Sequence, residues 1–310
     1  MAARNKKNLS RPSDGTDSPA GLLVRLRGLR PSLSPAEDRV AERVLADARA
    51  AAALTISELA VQARTSETTV LRFCKRLGLP GYPQLRLALA AESAQPRSRI
   101  VTDTDINEDD TIDEIISKVA FTDASAVEET AQQLDRASLT EAADAIAGAS
   151  RVDIYGIGAS AIVGTDAQQK LHRIGVIAFS WNDPHIALTS AALLGKGDVA
   201  IGISHSGTTR ETIESLGKAR RQGATTVAIT NFPLSRLVET ADILLTTAAR
   251  ETSLRSGATA SRIAALTVVD CLYIAVAQRD LVRARKAVAD TRAAVSGHHL
   301  DNPSGDSTGQ

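Results

Sequence analysis

Ser204, His205, Ser206, Gly207, Thr208 and Thr209 place four hydroxyls, one imidazole and one glycine in six consecutive positions. The apolar run DVAIGI (198–203) leads into them, and the helical pattern ETIESLGKARRQG (211–223) leads away. A buried strand that opens into a helix start presents unpaired amide N–H groups and the positive end of the helix dipole at one place, which favours an anion. Hydroxyls of Ser204, Ser206 and Thr209 add neutral donors, a set suited to a phosphate monoester. The stretch has no lysine and no P-loop pattern, so cleavage of a nucleoside triphosphate is not indicated. A second loop of the same kind, YGIGASA (155–161), carries Gly158 and Ser160. Its G-x-G-x-S spacing is not the G-x-G-x-x-G of a dinucleotide site. Either loop, taken singly, could also be a turn that caps its helix. Glu251, His185 and His205 are the side chains able to act as acids or bases near these loops, and no spacing pairs them.

A different chemistry is written in ARTSETTVLRFCKRLG (63–78). Val70, Phe73, Cys74 and Leu77 recur at i, i+3, i+4 and i+7 and define an inward helix face. The opposite face shows Thr68, Thr69, Arg72, Lys75 and Arg76. A short helix over 56–63, a tight turn near Ala63–Thr65 and this second helix make a helix-turn-helix shape. In a major groove the first residues of such a second helix reach base edges, and its cations reach phosphates. Ser66, Thr68, Thr69 and Arg72 are therefore expected at or near bases. Lys75, Arg76 and Arg64 are expected at the phosphates of double-stranded DNA.

The elements that must position these residues are legible as two regimes. Residues 21–91 read as helices throughout. SPAE (34–37), TISE (55–58) and TIDE (111–114) each offer a capping box. From 151 onward short apolar runs replace that pattern: 151–158, 176–180, 198–204, 225–230 and 242–247. Helical patterns at 160–173, 185–194, 208–222 and 234–240 separate them, and a long helix over about 258–280 follows. This alternation predicts a five-stranded parallel sheet covered by helices. Ligands of such sheets bind beyond the carboxyl ends of the strands, where both loops lie.

Charge divides along the same line. The 310 residues carry no net charge, but residues 1–95 hold 15 Lys/Arg against 9 Asp/Glu. A basic first part joined to an acidic second part agrees with a polyanion partner for the first. Residues 1–20 and 296–310 are polar and read as disordered tails, with His298 and His299 lacking partner ligands. No apolar run suggests a membrane span or a secretory signal, so a cytoplasmic protein is expected. Cys74 and Cys271 read as small buried hydrophobes. No cofactor and no metal is expected.

SETTVLRFCKRLGLPGYPQLRLAL (66–89) resembles the N-terminal DNA-binding domain of the RpiR family of bacterial transcriptional regulators. G-x-G-x-S followed by S-x-S-G-x-T resembles the SIS (sugar isomerase) domain, which binds phosphosugars, and that family joins the two in this order. The resemblance implies an all-α helix-turn-helix domain at 21–95, a linker and helical connector at 96–148 and a SIS domain at 149–282. It implies that Ser160, Ser204, Ser206 and Thr209 contact a phosphosugar effector, with Gly158, His205 and Gly207 in the same loops. Glu251 matches a region where such domains place a carboxylate near the sugar, and Arg255 and Arg262 read as surface or interface charges. The function implied is a non-enzymatic regulator, a homodimer or homotetramer, whose operator affinity responds to the phosphosugar. The alternative is an aldose–ketose phosphate isomerase with an N-terminal extension.

Overall fold

The computed structural model describes residues 21–94, 105–251 and 260–296. Its first part is six helices: α1 (Leu22–Leu29), α2 (Pro35–Ala46), α3 (Ala48–Ala53), α4 (Ile56–Gln62), α5 (Glu67–Arg76) and α6 (Tyr82–Ala94), with a 3₁₀ turn at Arg30–Ser32. Leu26, Leu59, Phe73, Leu85 and Leu89 from four of them form a fully buried core. Side-chain caps set the starts. Ser34 and Thr55 complete reciprocal capping boxes with Glu37 and Glu58, and Ser66 accepts from the Thr69 amide. Each such cap supplies about 1 kcal/mol. The run AAAA (50–53) hid α3 from periodicity, because four identical side chains define no face.

Helices α7 (Ile112–Gln133) and α8 (Arg136–Ala147) lead into the second part. There β1 (Val152–Tyr155), β2 (Ala178–Trp181), β3 (Val199–Ile203), β4 (Thr225–Thr230) and β5 (Ile243–Thr246) form one sheet in the order β2-β1-β3-β4-β5. All neighbours are parallel; Val152 stands beside Ala178 on one side and Val199 on the other. Helices α9 (Ala159–Arg173), α10 (Pro184–Ala191), α11 (Arg210–Gln222) and α12 (Arg236–Glu239) connect the strands, and α13 (Ala260–Arg279) and α14 (Leu281–Ser296) follow. The mixed α/β class and five-stranded parallel sheet agree with the alternation in the sequence. Helix α14 was not anticipated: Ala284 is the only buried residue among those described on it, so its apolar pattern is faint.

The order places a switch point between β1 and β3. The chain leaves β1 toward β2 on one side and crosses to β3 on the other, which opens a crevice at their carboxyl ends. Buried Asp153 stiffens this region. Its carboxylate accepts from Arg151, Ser190, Tyr155 and Trp181, tying β1 to β2 and α10. Burial and the adjacent Asp153 carboxylate both push the Tyr155 hydroxyl far up. Helix α13 corrects the expectation that no segment approaches a membrane span: by length and composition alone it could cross one. Ala265, Val268, Leu272 and Val276 are buried on it, in a core shared with α8, α9 and the sheet, so it serves as a core helix.

Candidate functional site

The turn between α4 and α5 is a left-handed one. Arg64 has φ 49°, and its carbonyl and that of Ala63 accept from the Arg39 guanidinium at 3.0 and 3.1 Å. Arg39, on α2, thus holds the angle between the two helices. Its contribution was not apparent in the sequence, because it acts across 24 and 25 residues. Arg64, Ser66, Thr68, Arg72, Lys75 and Arg76 are exposed, on the side of α5 away from Val70, Phe73 and Cys74. Thr69 is not: it is 5% exposed, and its hydroxyl lies 3.1 Å from that of Ser66. Its expected place beside the bases is therefore corrected. At the third position of a helix the side chain turns back over the cap, so Thr69 completes the start of α5 instead. Cys74 is fully buried, and burial raises its thiol to about 11.

The second site is built at the switch point. After β1, Gly156 passes so close to α9 that a Cβ would lie 2.8 Å from the Ser160 carbonyl, and Gly158 turns the chain at φ +60°. After β3, Gly207 has φ +63°, and a Cβ there would lie 1.9 Å from the Ser235 hydroxyl. Its amide donates to the Ser204 hydroxyl at 3.1 Å, and the Ser204 and Thr209 hydroxyls are 2.9 Å apart. The helix after this loop starts at Arg210 rather than at 208, with Thr209 as its N-cap residue.

A side-chain cap sets α10 apart from these two helices, and the short α12 also starts without one. At α10 the Asp183 carboxylate accepts from the Ile186 amide. At α9 and α11 no side chain caps the amides. At α11 the Ser204 and Thr209 hydroxyls are turned to one another, whereas at α9 the Ser160 and Ala161 amides already donate to the carbonyls of Ile157 and Gly158 at 3.2 and 3.1 Å.

A cleft of about 340 Å³, mouth included, lies under these loops. Ser160, His205, Thr230, Thr247, Ser261 and Arg262 line it, with Val163, Ile203 and Ile229 as its apolar floor. Arg262, read as a surface or interface charge, is half-buried near the start of α13 and lines the cleft. No spacing pattern signalled this, since the sheet lies between the two stretches in sequence. Glu251 and His205, unpaired by spacing, are brought together with Glu251 Oε1 3.7 Å from His205 Nε2. The His205 ring packs edge-on to Phe232. His205 Nδ1 and Glu251 Oε1 are buried without a hydrogen-bond partner among the described residues. Burial pulls the imidazole below its usual value, and Glu251 offsets this in part. His185, at the exposed start of α10, does not line the cleft. Arg255, His298 and His299 lie outside the described residues. Among the described residues, no cluster of His, Cys, Asp or Glu is placed to hold a metal ion.

Two family models match the chain: the rpiR-family helix-turn-helix domain over residues 20–96 and the SIS domain over 145–275. An HTH-type transcriptional regulator of Caldanaerobacter subterraneus subsp. tengcongensis is 39% identical over 84% of this chain and 93% of its own length. The chain belongs to the rpiR family of helix-turn-helix regulators. YbbH of Bacillus subtilis, also an HTH-type regulator, is 33% identical over 89% of the chain and 97% of its own. Among solved structures, the Vibrio vulnificus NanR protein complexed with ManNAc-6P is 32% identical, with a TM-score of 0.58. The match covers 91% of this rpiR-family chain and all of that one. The protein is thus a transcriptional regulator with a helix-turn-helix and a SIS domain.

Proposed function

We propose that this regulator binds double-stranded operator DNA through the exposed face of α5, senses a phosphorylated sugar in the cleft and catalyses no reaction on it. The observation that carries this reading is the meeting of two helix starts without side-chain caps, α9 and α11, beyond the carboxyl ends of the neighbouring strands β1 and β3, with the hydroxyls of Ser160, Ser204, Ser206 and Thr209 beside them. Two converging helix dipoles, with the amides at the start of α11, suit a phosphate dianion. Ser160, Ser204, Ser206 and Thr209 are its donors, with Gly158 and Gly207 shaping the loops. Glu251, His205 and Arg262 are left for the sugar. The resemblance to NanR, whose structure holds ManNAc-6P, supports a sugar phosphate as the ligand class.

On the DNA side this reading assigns Ser66, Thr68 and Arg72 to base edges, and Arg64, Lys75 and Arg76 to phosphates. We take the working unit to be a homodimer or homotetramer in the cytoplasm, because paired half-sites need paired readers. No cofactor enters this reading.

The Glu251–His205 pair favours a second reading, an aldose–ketose phosphate isomerase, because such a reaction needs a base beside the carbon next to a carbonyl. The exposed cations of α5 have no task in that reaction. The test runs in three arms on the full-length protein. Arg72→Ala is expected to weaken binding to promoter DNA by about 10- to 100-fold, the loss of one base contact. Its thermal stabilisation by sugar phosphates stays as in the wild type. Turnover of any of those sugar phosphates by the wild type would replace the regulator reading with the isomerase.

A further inference from the structure

The cleft is not the only cavity on that end of the sheet. A second, of about 200 Å³, lies between the helix-turn-helix domain and the SIS domain, lined by Val24, Arg27 and Gly28 of α1 and by Glu129, Asn231 and Thr247. Thr247 lines both cavities, so one wall separates them. That wall is heavily tied. The Asn231 side-chain oxygen accepts from the Ala249 amide at 2.7 Å and from the Thr247 hydroxyl at 3.3 Å, while the Asn231 amide donates to the His205 carbonyl. Thr130, on α7, accepts from the Ala248 amide at 3.0 Å. On the far side Gly28 packs against the Asn231 carbonyl and Pro233, close enough that a Cβ would touch both.

Residues 250 and 251 face opposite ways. Glu251 approaches His205 in the cleft. Arg250 donates to Glu129 Oε1 at 2.7 Å. The other oxygen of the same carboxylate, Oε2, accepts from Arg27 of α1 at 2.9 Å. Glu129 is only 13% exposed and Arg27 20%, so the pairing is poorly screened by solvent. One carboxylate therefore holds the operator-reading domain with one oxygen and the segment beside the sugar site with the other.

We propose that Glu129 is a latch between the two domains. A ligand that engages Glu251 repositions residues 248–251, shifts Arg250 on Glu129 and changes how Glu129 holds Arg27, altering the seat of α1 and the presentation of α5. This deepens the effector reading above and rests on it. A ligand acts this way only if its contacts differ between the seated and released arrangements, and the coupling is then reciprocal between sugar and DNA.

Arg27→Gln cuts the latch while leaving the Arg250–Glu129 pair and the cleft intact. Glu129→Gln weakens both arms and serves as the second variant. Promoter affinity of the full-length protein is measured with and without N-acetylmannosamine 6-phosphate, N-acetylglucosamine 6-phosphate, glucose 6-phosphate and ribose 5-phosphate, and calorimetry gives the affinity for each sugar. In Arg27→Gln the sugar that binds keeps its affinity within about threefold, while its effect on promoter affinity shrinks to within about twofold of none. A wild-type-sized effect in that variant overturns the latch. Hydrogen exchange on the ligand-free chains decides the latch even if no sugar binds, an outcome that sinks the effector reading by itself. Arg27→Gln is expected to speed exchange of the Ala248–Glu251 amides several-fold; unchanged exchange there overturns the proposal.

Discussion

Thr68, Arg72, Lys75 and Arg76 sit on two turns of one helix, exposed together. The cleft draws its lining from the starts of α9 and α13 and the ends of β3, β4 and β5, between Ala159 and Ala265. The two sites therefore fail differently. A face on one helix depends on that helix standing upright, and each side chain on it is replaceable without moving the next. A cleft assembled from five elements depends on the backbone that brings them together, so its most sensitive positions carry no ligand-binding group at all.

Gly207 tests that contrast hardest. Its φ of +63° is costly for any residue with a Cβ, and the Cβ would overlap the Ser235 hydroxyl and crowd that of Thr230, 2.9 Å away. Left-handed strain and overpacking together cost about 3 kcal/mol. The loop can escape only by abandoning the turn that holds the Ser204 and Thr209 hydroxyls together. Gly207→Ala is expected to abolish stabilisation by sugar phosphates and to lower the melting temperature by several degrees, while promoter binding at low temperature persists. Retained sugar binding in this variant would mean that the cleft is less dependent on its backbone than α5 is on its side chains.

Adjacent threonines sharpen the comparison from the other side. Thr68 is exposed and Thr69 buried over the Ser66 cap. Thr68→Ala is expected to weaken promoter binding by a few-fold with no change in melting temperature. Thr69→Ala removes a buried methyl and a hydroxyl contact and costs about 1 kcal/mol of stability. Its effect on promoter binding follows only from a looser helix start. If the two variants behave alike, the first turn of α5 is not divided as its burial suggests.

These neighbours also show what the sequence made legible. Heptad-like spacing separated Val70, Phe73, Cys74 and Leu77 from Arg72, Lys75 and Arg76, because period alone decides which side of an isolated helix is buried. It misjudged Thr69, whose position is decided by a cap three residues earlier rather than by the period. In the SIS domain the five strands and both glycine loops were legible, since a strand followed by a glycine turn and a helix is a local signal. The approach of Arg262 to those loops was not, that of Glu251 was read only through the family resemblance, and the clamp of Arg39 on Arg64 was not legible. Each is a contact between stretches far apart in the chain, and composition carries no record of which stretches meet. Likewise α3 and α14 were missed where uniform alanine or solvent on nearly every side erased the periodicity that other helices display.

Acidity separates the two regions in a last and smaller way. All five histidines lie beyond residue 171, so the helix-turn-helix domain has none to titrate. In the cleft, burial holds the His205 imidazole below its usual value against the opposing pull of Glu251. The unfolded chain titrates near 6.5. Between the depressed folded value and about 6.5 the unfolded state therefore binds more protons than the folded one. The contribution of His205 to stability is complete above that window and is lost as the pH falls through it. Thermal melts of the wild type and His205→Gln at pH 7.5 and 5.5 read this as a difference of differences. The wild type is expected to lose more on acidification than the variant, and a dianion bound in the cleft, by favouring the imidazolium, to shrink that gap. Equal losses in the two proteins would show that His205 is not held neutral by its burial, and that the cleft is as insensitive to acid as a domain without histidine.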